Sequence, residues 1–248
     1  MAHFPYALTG PIGTQATLGL IALQEDETVE PDFRRLFTAT DIAFYVSRVP
    51  SGAEITPATI AQMGIDLPRA ASLFPRAAEF DVVAYACTSG TTLLGADRVA
   101  ELVSAEVTTR AVTNPLTATF AAFAALGVQR LGIVSPYMQA VADAMRDTFE
   151  AHGLAVPATL TFGEAAEARV ARIDPASIVE AALEVGAKPG VEAVFLSCTN
   201  LRTLDIIDGL EQRLGLPVVS SNQALAWHMA RLADARPDAR APGRLFTL

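Results

Sequence analysis

The sequence predicts an α/β protein of two pseudo-symmetric lobes, each a four-stranded parallel sheet flanked by helices, with the active site in the cleft between them. Three observations carry that expectation. Apolar runs of strand length alternate with segments whose apolar residues recur at helical spacing, the pattern of a parallel sheet with crossover helices. Several segments return, in the same order, in the second half of the chain. The only two cysteines, Cys87 and Cys198, hold the same place in both copies.

The elements follow in order. The first strand, Leu18–Leu23, is the run LGLIAL. The acidic stretch QEDETVEPD then opens a helix over Glu30–Phe37, where negative charge suits a helix start. A strand over Ile42–Arg48 leads to a helix over Pro57–Phe74. The third strand, Val82–Ala86, lies in FDVVAYA, a continuous β-branched and aromatic run of the kind buried on both faces of a sheet. It breaks at Cys87 into Thr-Ser-Gly-Thr, and helical spacing resumes over Leu93–Ala105. A strand over Thr108–Val112 precedes LTATFAAFAALGV, a core helix over Ala118–Leu126 that is too short to span a bilayer. The second half runs strand Arg130–Val134, helix Met138–His152, strand Ala155–Thr161 and helix Pro175–Gly186. It closes with strand Ala193–Ser197, helix Arg202–Leu214, strand Val218–Ser220 and helix Gln223–Ala233. A TIM barrel is the rival arrangement of eight strands, and the repeat disfavours it. The final DARPDARAPGR, rich in Pro, Ala and Arg, reads as an exposed tail.

The repeat locates the chemistry. YACTSGTTLLG around Cys87 and VFLSCTNLRTLD around Cys198 share one layout, and an acidic residue, Asp81 or Glu192, stands six positions before each cysteine. LGLIAL at Leu18 resembles LGIVSP at Leu131, and AVTNPLTATFAAF resembles VVSSNQALAWHMA, which matches Asn114 to Asn222. Matched segments in one order imply two similar halves. Packed face to face, they would point both thiols into one cleft at the carboxyl ends of strands, where open α/β sheets bind ligands.

Each cysteine precedes a predicted helix, whose free N–H groups and dipole would stabilise a thiolate. The turns Thr88–Thr91 and Thr199–Asn200 supply amides and short polar side chains. These serve as helix caps and can hold a carboxylate without Lys or Arg. Tyr137, after another strand, could donate its hydroxyl to the same site. Asp26, close behind the first strand, is the acidic residue expected to face the cleft.

Composition narrows the classes. A chain of 248 residues with 51% hydrophobic and 18% charged content has ample core for a globular fold. A net charge of −9 argues against a nucleic-acid partner, which needs a basic surface. MAHFPYALTG lacks the basic and apolar regions of a secretory signal, so a cytoplasmic address with reduced thiols is expected, and no membrane partner. Two distant cysteines and three scattered histidines make no familiar metal set, so no metal is expected. His152, at a helix end, and His228, in the last helix, carry bland structural readings. Dinucleotide, Walker and nucleophile-elbow motifs are absent.

YACTSGT and LSCTNLRT, within a two-fold repeat, resemble the aspartate/glutamate racemase superfamily. The chain is most similar to its maleate cis-trans isomerase and arylmalonate decarboxylase branch, which includes the isomerase-like proteins of ectoine utilisation. LGLIALQEDETVEPDF, RLGIVSPYMQAV, VARIDPASI and PVVSSNQALAWHMAR extend the likeness over nearly the whole chain. The resemblance implies a cofactor-independent enzyme acting on a small carboxylate, and a homodimer. It implies lobes of residues 1–112 plus 216–248, carrying Cys87, and 113–215, carrying Cys198, with the last strand and helix crossing back. It makes Cys87 and Cys198 the catalytic pair. Thr88, Ser89, Thr199 and Asn200 become carboxylate cradles, and Tyr137 a carboxylate contact. Two departures stand out. Maleate isomerases carry an asparagine near Asp26, and an ionised Asp there would favour an ammonium, amidine or hydroxyl group. A second family asparagine, before VARI, is replaced in the Glu167–Ala168 region. Arylmalonate decarboxylases lack the first cysteine, which Cys87 supplies here.

Two facing thiols suit two reactions. In racemisation one thiolate removes an α-proton and the opposite thiol returns one to the other face. In cis-trans isomerisation a thiolate adds to the alkene, the bond rotates, and elimination follows. Arylmalonate-type decarboxylation and a non-catalytic binding role are the alternatives.

Overall fold

The computed structural model describes His3–Leu248 and contains the two predicted sheets. The first half runs β1 (Ala16–Leu23), α1 (Val29–Leu36), β2 (Ile42–Val49), α2 (Pro57–Ala71), β3 (Phe80–Ala86), α3 (Thr88–Leu94), α4 (Ala96–Ser104), β4 (Thr109–Thr113) and α5 (Pro115–Leu126). The second runs β5 (Arg130–Ser135), α6 (Gln139–Ala151), β6 (Ala155–Thr161), α7 (Glu167–Val170), α8 (Pro175–Gly186), β7 (Ala193–Leu196), α9 (Ile207–Leu214), β8 (Val218–Ser220) and α10 (Ser221–Leu232). Both sheets are parallel and share one strand order, β2-β1-β3-β4 and β6-β5-β7-β8. The central strands β1, β3, β5 and β7 are apolar almost throughout because helices cover both of their faces.

The repeated acidic residue has one structural task in both halves. Asp81 on β3 accepts the Thr17 amide at the start of β1 at 2.9 Å, and Glu192 before β7 accepts the Gln129 and Arg130 amides at the start of β5, each at 3.0 Å. An arginine completes each end: Arg110 on Asp81 and Arg130 on Glu192. Each carboxylate thereby ties the entry of one central strand to its neighbour, which sets where both strands, and so both cysteines, fall.

Several expectations shift. The helix read as Leu93–Ala105 is two helices, because Gly95 at φ 90° interrupts it after α3. The helix read as Arg202–Leu214 starts later, with a 3-10 turn at Leu204–Ile206 ahead of α9. The match of Asn114 to Asn222 is out by two residues. Asn114 caps α5 by accepting the Thr117 amide, whereas the cap of α10 is Ser220, which accepts the Gln223 amide. The tail lies largely at the surface, as expected, but it is anchored. Gln223 donates to the Pro242 carbonyl, Asp208 accepts the Gly243 amide, Glu211 accepts the Arg244 amide, and Leu245 is buried.

α10 leaves the second sheet after β8 and packs on α5, α1 and the first sheet through β3. Its residues Ser221–Trp227 are all buried, so this helix forms part of the wall between the two halves. Among the described residues, no helix is long and apolar enough to cross a membrane.

Candidate active site

Cys87 follows β3 directly and is the N-cap of α3: its extended backbone lets Sγ accept the Gly90 amide at 3.1 Å. Gly90 is required for that approach, since a Cβ there would lie 2.6 Å from the Tyr85 hydroxyl and 2.8 Å from Cys87 Sγ. Ser89 Oγ stands 3.7 Å from the same sulfur. The helix N-terminus expected to favour a thiolate is therefore present, yet it does not prevail. Burial pushes the Cys87 thiol up to about 11, with the Glu167 carboxylate adding to the rise against the Gly90 amide.

Cys198 differs from its counterpart. It lies past β7 with φ at 132°, a conformation that costs a non-glycine residue roughly 1–3 kcal/mol. No helix begins at Cys198, because the chain turns through Thr199–Thr203 first. Its thiol is pushed well above the ordinary cysteine range, by burial first and by Glu167 next, with the Asn200 amide opposing.

Contacts across the halves stitch the two turns together. The Thr88 hydroxyl donates to Ser221 Oγ at 2.9 Å, and the Cys198 amide donates to the same oxygen at 3.1 Å. Thr199 donates to the Ala86 carbonyl, next to Cys87, at 3.3 Å. Tyr137, just past β5, is buried, and its hydroxyl has no hydrogen-bond partner in the protein. Burial raises the phenol, and the thiols Cys198 and then Cys87 also weigh on it, so Tyr137 shares their space.

The loop between β1 and α1 closes another side. Asp26 Oδ1 accepts the Thr28 and Val29 amides, both at 2.8 Å, which anchors the first turn of α1, while Oδ2 is buried without a partner. Burial raises this carboxyl, and the Val29 amide leads the groups that oppose the rise. Asn200 is committed to protein. Its Oδ1 accepts the Glu27 amide at 2.9 Å, and its Nδ2 donates to the Glu167 carbonyl at 3.1 Å and to Glu167 Oε2 at 3.2 Å. Of the cradle predicted after Cys198, the Asn200 amide thus faces the thiol and the side chain faces the loops.

Among the described residues, no group of three or more His, Cys, Asp or Glu side chains could hold a metal ion. His152 stacks on Phe120 at 3.7 Å, and His228 shares a hydrogen bond with Thr113 at 2.8 Å, so both have structural roles. The cations nearest the acidic loops are turned outward. Arg48 donates to the Leu23 and Asp26 carbonyls and to Glu30, and Arg172 donates to Glu27 and the Ala168 carbonyl.

Comparison with known proteins decides the family, for the model of the arylmalonate decarboxylase family matches residues 55–246. The chain belongs to the arylmalonate decarboxylase family. It is 34% identical to the arylmalonate decarboxylase of Bordetella bronchiseptica over 143 residues, which span 57% of this chain and 60% of that protein. A liganded double mutant of arylmalonate decarboxylase superposes with a TM-score of 0.83 at 28% identity, covering 93% of this chain and 98% of that one. A mutant maleate cis-trans isomerase from Nocardia farcinica, carrying a covalently bound succinylcysteine intermediate, has the same fold with a TM-score of 0.84 at 24% identity over 93% and 98% of the two chains.

In this family member two further side chains enter the site that motif reasoning did not single out. Ser221 carries no motif signal, because only the tertiary fold brings the start of α10 against both cysteine turns. Glu167 lies on α7, a single turn that the periodicity does not reveal, and the missing asparagine before VARI was its only trace. It is 4% exposed, and its carboxyl is raised to about 7 by burial, with Asp26 adding to the rise and Asn200 opposing it. Its backbone amide donates to the Ala53 carbonyl, and Glu54 forms a bridge with Ala166, which fixes α7 against the loop after β2.

Proposed function

We propose that this member of the arylmalonate decarboxylase family is a cofactor-independent isomerase or racemase that acts on a small carboxylate through Cys87 and Cys198. The observation that carries the reading is the pair of buried thiols past the equivalent strands β3 and β7, tied across the halves at Ser221 Oγ. The succinylcysteine of the Nocardia isomerase supports thiol addition as chemistry this fold can host. The domain division is read as the expected two lobes that meet at these cysteines, except that the last strand does not cross back within 216–248: β8 stays in the second sheet beside β7, and only the helix after it crosses. The crossover is best placed between Ser220 and Ser221, since β8 pairs with β7 and α10 packs on the first half. A reducing cytoplasm and a homodimer complete the reading, the first consistent with two free thiols.

Since the Thr88 and Thr199 hydroxyls donate to Ser221 Oγ and the Ala86 carbonyl and shape the turns instead, the donors left around the thiols are the Tyr137 and Ser89 hydroxyls and the amides of the two turns. They would hold the substrate carboxylate and the charge that develops on it. In racemisation, one thiolate takes the α-proton, the C–H electron pair moves into the carboxylate as an enediolate, and the opposite thiol protonates the other face. In isomerisation, Cys87 Sγ adds to one alkene carbon while Cys198 protonates its neighbour. The single bond rotates, and loss of that proton with cleavage of the C–S bond gives the trans product.

A second reading is decarboxylation, favoured by the 34% identity to the Bordetella decarboxylase. There, loss of CO₂ leaves an enediolate that needs a proton from one thiol only, so a second thiol has no task. Proton NMR in D₂O separates these readings, with maleate, aspartate, glutamate, hydantoins and arylmalonates as substrates. Deuterium at an α-position marks a racemase, fumarate from maleate marks the isomerase, and loss of CO₂ from an arylmalonate marks the decarboxylase. Full activity in Cys87→Ala or Cys198→Ala overturns the two-thiol mechanism.

A further inference from the structure

We infer that Asp26 and Glu167 together form a receptor for an ammonium group, so that the substrate is a small carboxylate that also carries a protonated amine. The inference rests on the two-thiol reading above and names its substrate class. Two unsatisfied polar atoms motivate it. Asp26 Oδ2 and the Tyr137 hydroxyl are buried without hydrogen-bond partners, and both residues lie within electrostatic reach of Cys198. One of these atoms is an acceptor and the other a donor. A zwitterion satisfies both, giving its ammonium protons to Asp26 and receiving the Tyr137 proton at its carboxylate.

Glu167 makes the choice of charge sharper. Asn200 ties its carboxylate to the Asp26 loop, donating to Glu167 Oε2 at 3.2 Å while accepting the Glu27 amide at 2.9 Å, and Glu167 is the charged group that weighs most on both thiols. Two carboxyls from opposite halves of the chain therefore act on Cys198, Glu167 on Cys87 as well; Arg48, bound to the Asp26 carbonyl, offsets Asp26 only in part, and Arg172 is engaged on Glu27. A dicarboxylate would bring a further negative charge against that pair in a desolvated site, where like charges repel strongly. An ammonium group would instead neutralise it. The same ion pair would remove the carboxylate contribution that adds to burial in keeping the thiols protonated, so binding of the correct substrate would also ease formation of the thiolate.

The test is calorimetric titration of the full chain at pH 8 with three probes of similar length: 4-aminobutanoate, succinate and butanoate. The expected result is that 4-aminobutanoate binds at least about tenfold more tightly than succinate. Asp26→Asn and Glu167→Gln should each abolish most of that preference while changing butanoate affinity by no more than about twofold. Both substitutions retain an oxygen for the amides of Thr28 and Val29 or for Asn200, and thermal melting reports whether each variant is folded. Succinate binding as tightly as 4-aminobutanoate, a preference that survives both folded variants, or no binding of either probe overturns the inference. Failure of the underlying reading looks different. Deuterium exchange that persists in Cys87→Ala removes the two-thiol mechanism while leaving the binding preference intact.

Discussion

Thr88 donates to Ser221 Oγ in a hydroxyl–hydroxyl hydrogen bond of 2.9 Å, and the same Ser221 oxygen accepts the Cys198 amide, which joins the two halves of the molecule at one atom. One buried side-chain atom therefore sets the position of the turn after Cys87 and of the turn that holds Cys198. Replacing Ser221 with Ala leaves two buried donors without a partner, at a cost of roughly 1–3 kcal/mol for each unsatisfied group. The expected outcome is a folded protein of lower stability whose turnover drops by about tenfold or more, because small misplacements at a reacting centre are costly. Denaturant unfolding and steady-state rates check it, and an unchanged rate would show that the bridge does not position the thiols.

The backbone of Cys198 offers a second measurement. At φ 132° a glycine is free of the side-chain clash that both cysteine and alanine meet. Cys198→Gly should therefore be more stable than Cys198→Ala, by about 1 kcal/mol, although both are expected to be inactive. Thermal melting of the two variants decides the order, and a less stable glycine variant would mean that the turn relaxes around alanine.

Glu167 should leave a signature in the dependence of stability on pH. Its carboxyl is raised from 4.5 to about 7 by burial, so between those values the folded protein keeps a proton that the unfolded chain has lost. The folded state binds more protons in that window, and stability must fall as pH rises through it, levelling off above about 7. Asp32, raised to about 6 by burial despite the Asn222 hydrogen bond, adds a loss of the same sign at lower pH. Glu167→Gln removes the first contribution, on the order of 3 kcal/mol at most. Chemical denaturation at pH 5 and pH 8 should show a smaller difference for the variant than for the parent, and equal differences would place Glu167 in a more polar environment.

Thiol alkylation tests the same residue by a different route. With its thiol raised to about 11 rather than 9.0, Cys87 at pH 8 holds about a hundredfold less thiolate than an ordinary cysteine. Labelling by iodoacetamide, followed by mass spectrometry, should be slow at both cysteines in the native protein. It should speed up in Glu167→Gln, which keeps the shape of the site and removes the charge. No acceleration would mean that burial alone sets the thiols.

The sequence by itself determined the two-sheet architecture and the places of the cysteines. FDVVAYA and VEAVFLS are runs that only a strand covered on both faces can bury, and each is followed at once by a turn. Apolar periodicity and chain punctuation are local properties, so they survive without coordinates. What lay beyond local signal was decided by tertiary structure. The amide of Gly90 and the start of α3 are readable as stabilisers of the Cys87 thiolate, but the burial that outweighs them depends on what packs above the sulfur. The Arg202–Leu214 pattern places a helix after a short polar turn behind Cys198, yet the turn runs through Thr203 and α9 begins only at Ile207, so the two thiols are not electrostatic equals. Ser221 and Glu167 stand 134 and 80 residues beyond Cys87 in the chain. Their roles arise only because α10 crosses back to the first half and α7 docks on the loop after β2. Desolvation and convergence are properties of the folded whole, which is why the sequence locates the thiols and only the structure shows what charge surrounds them.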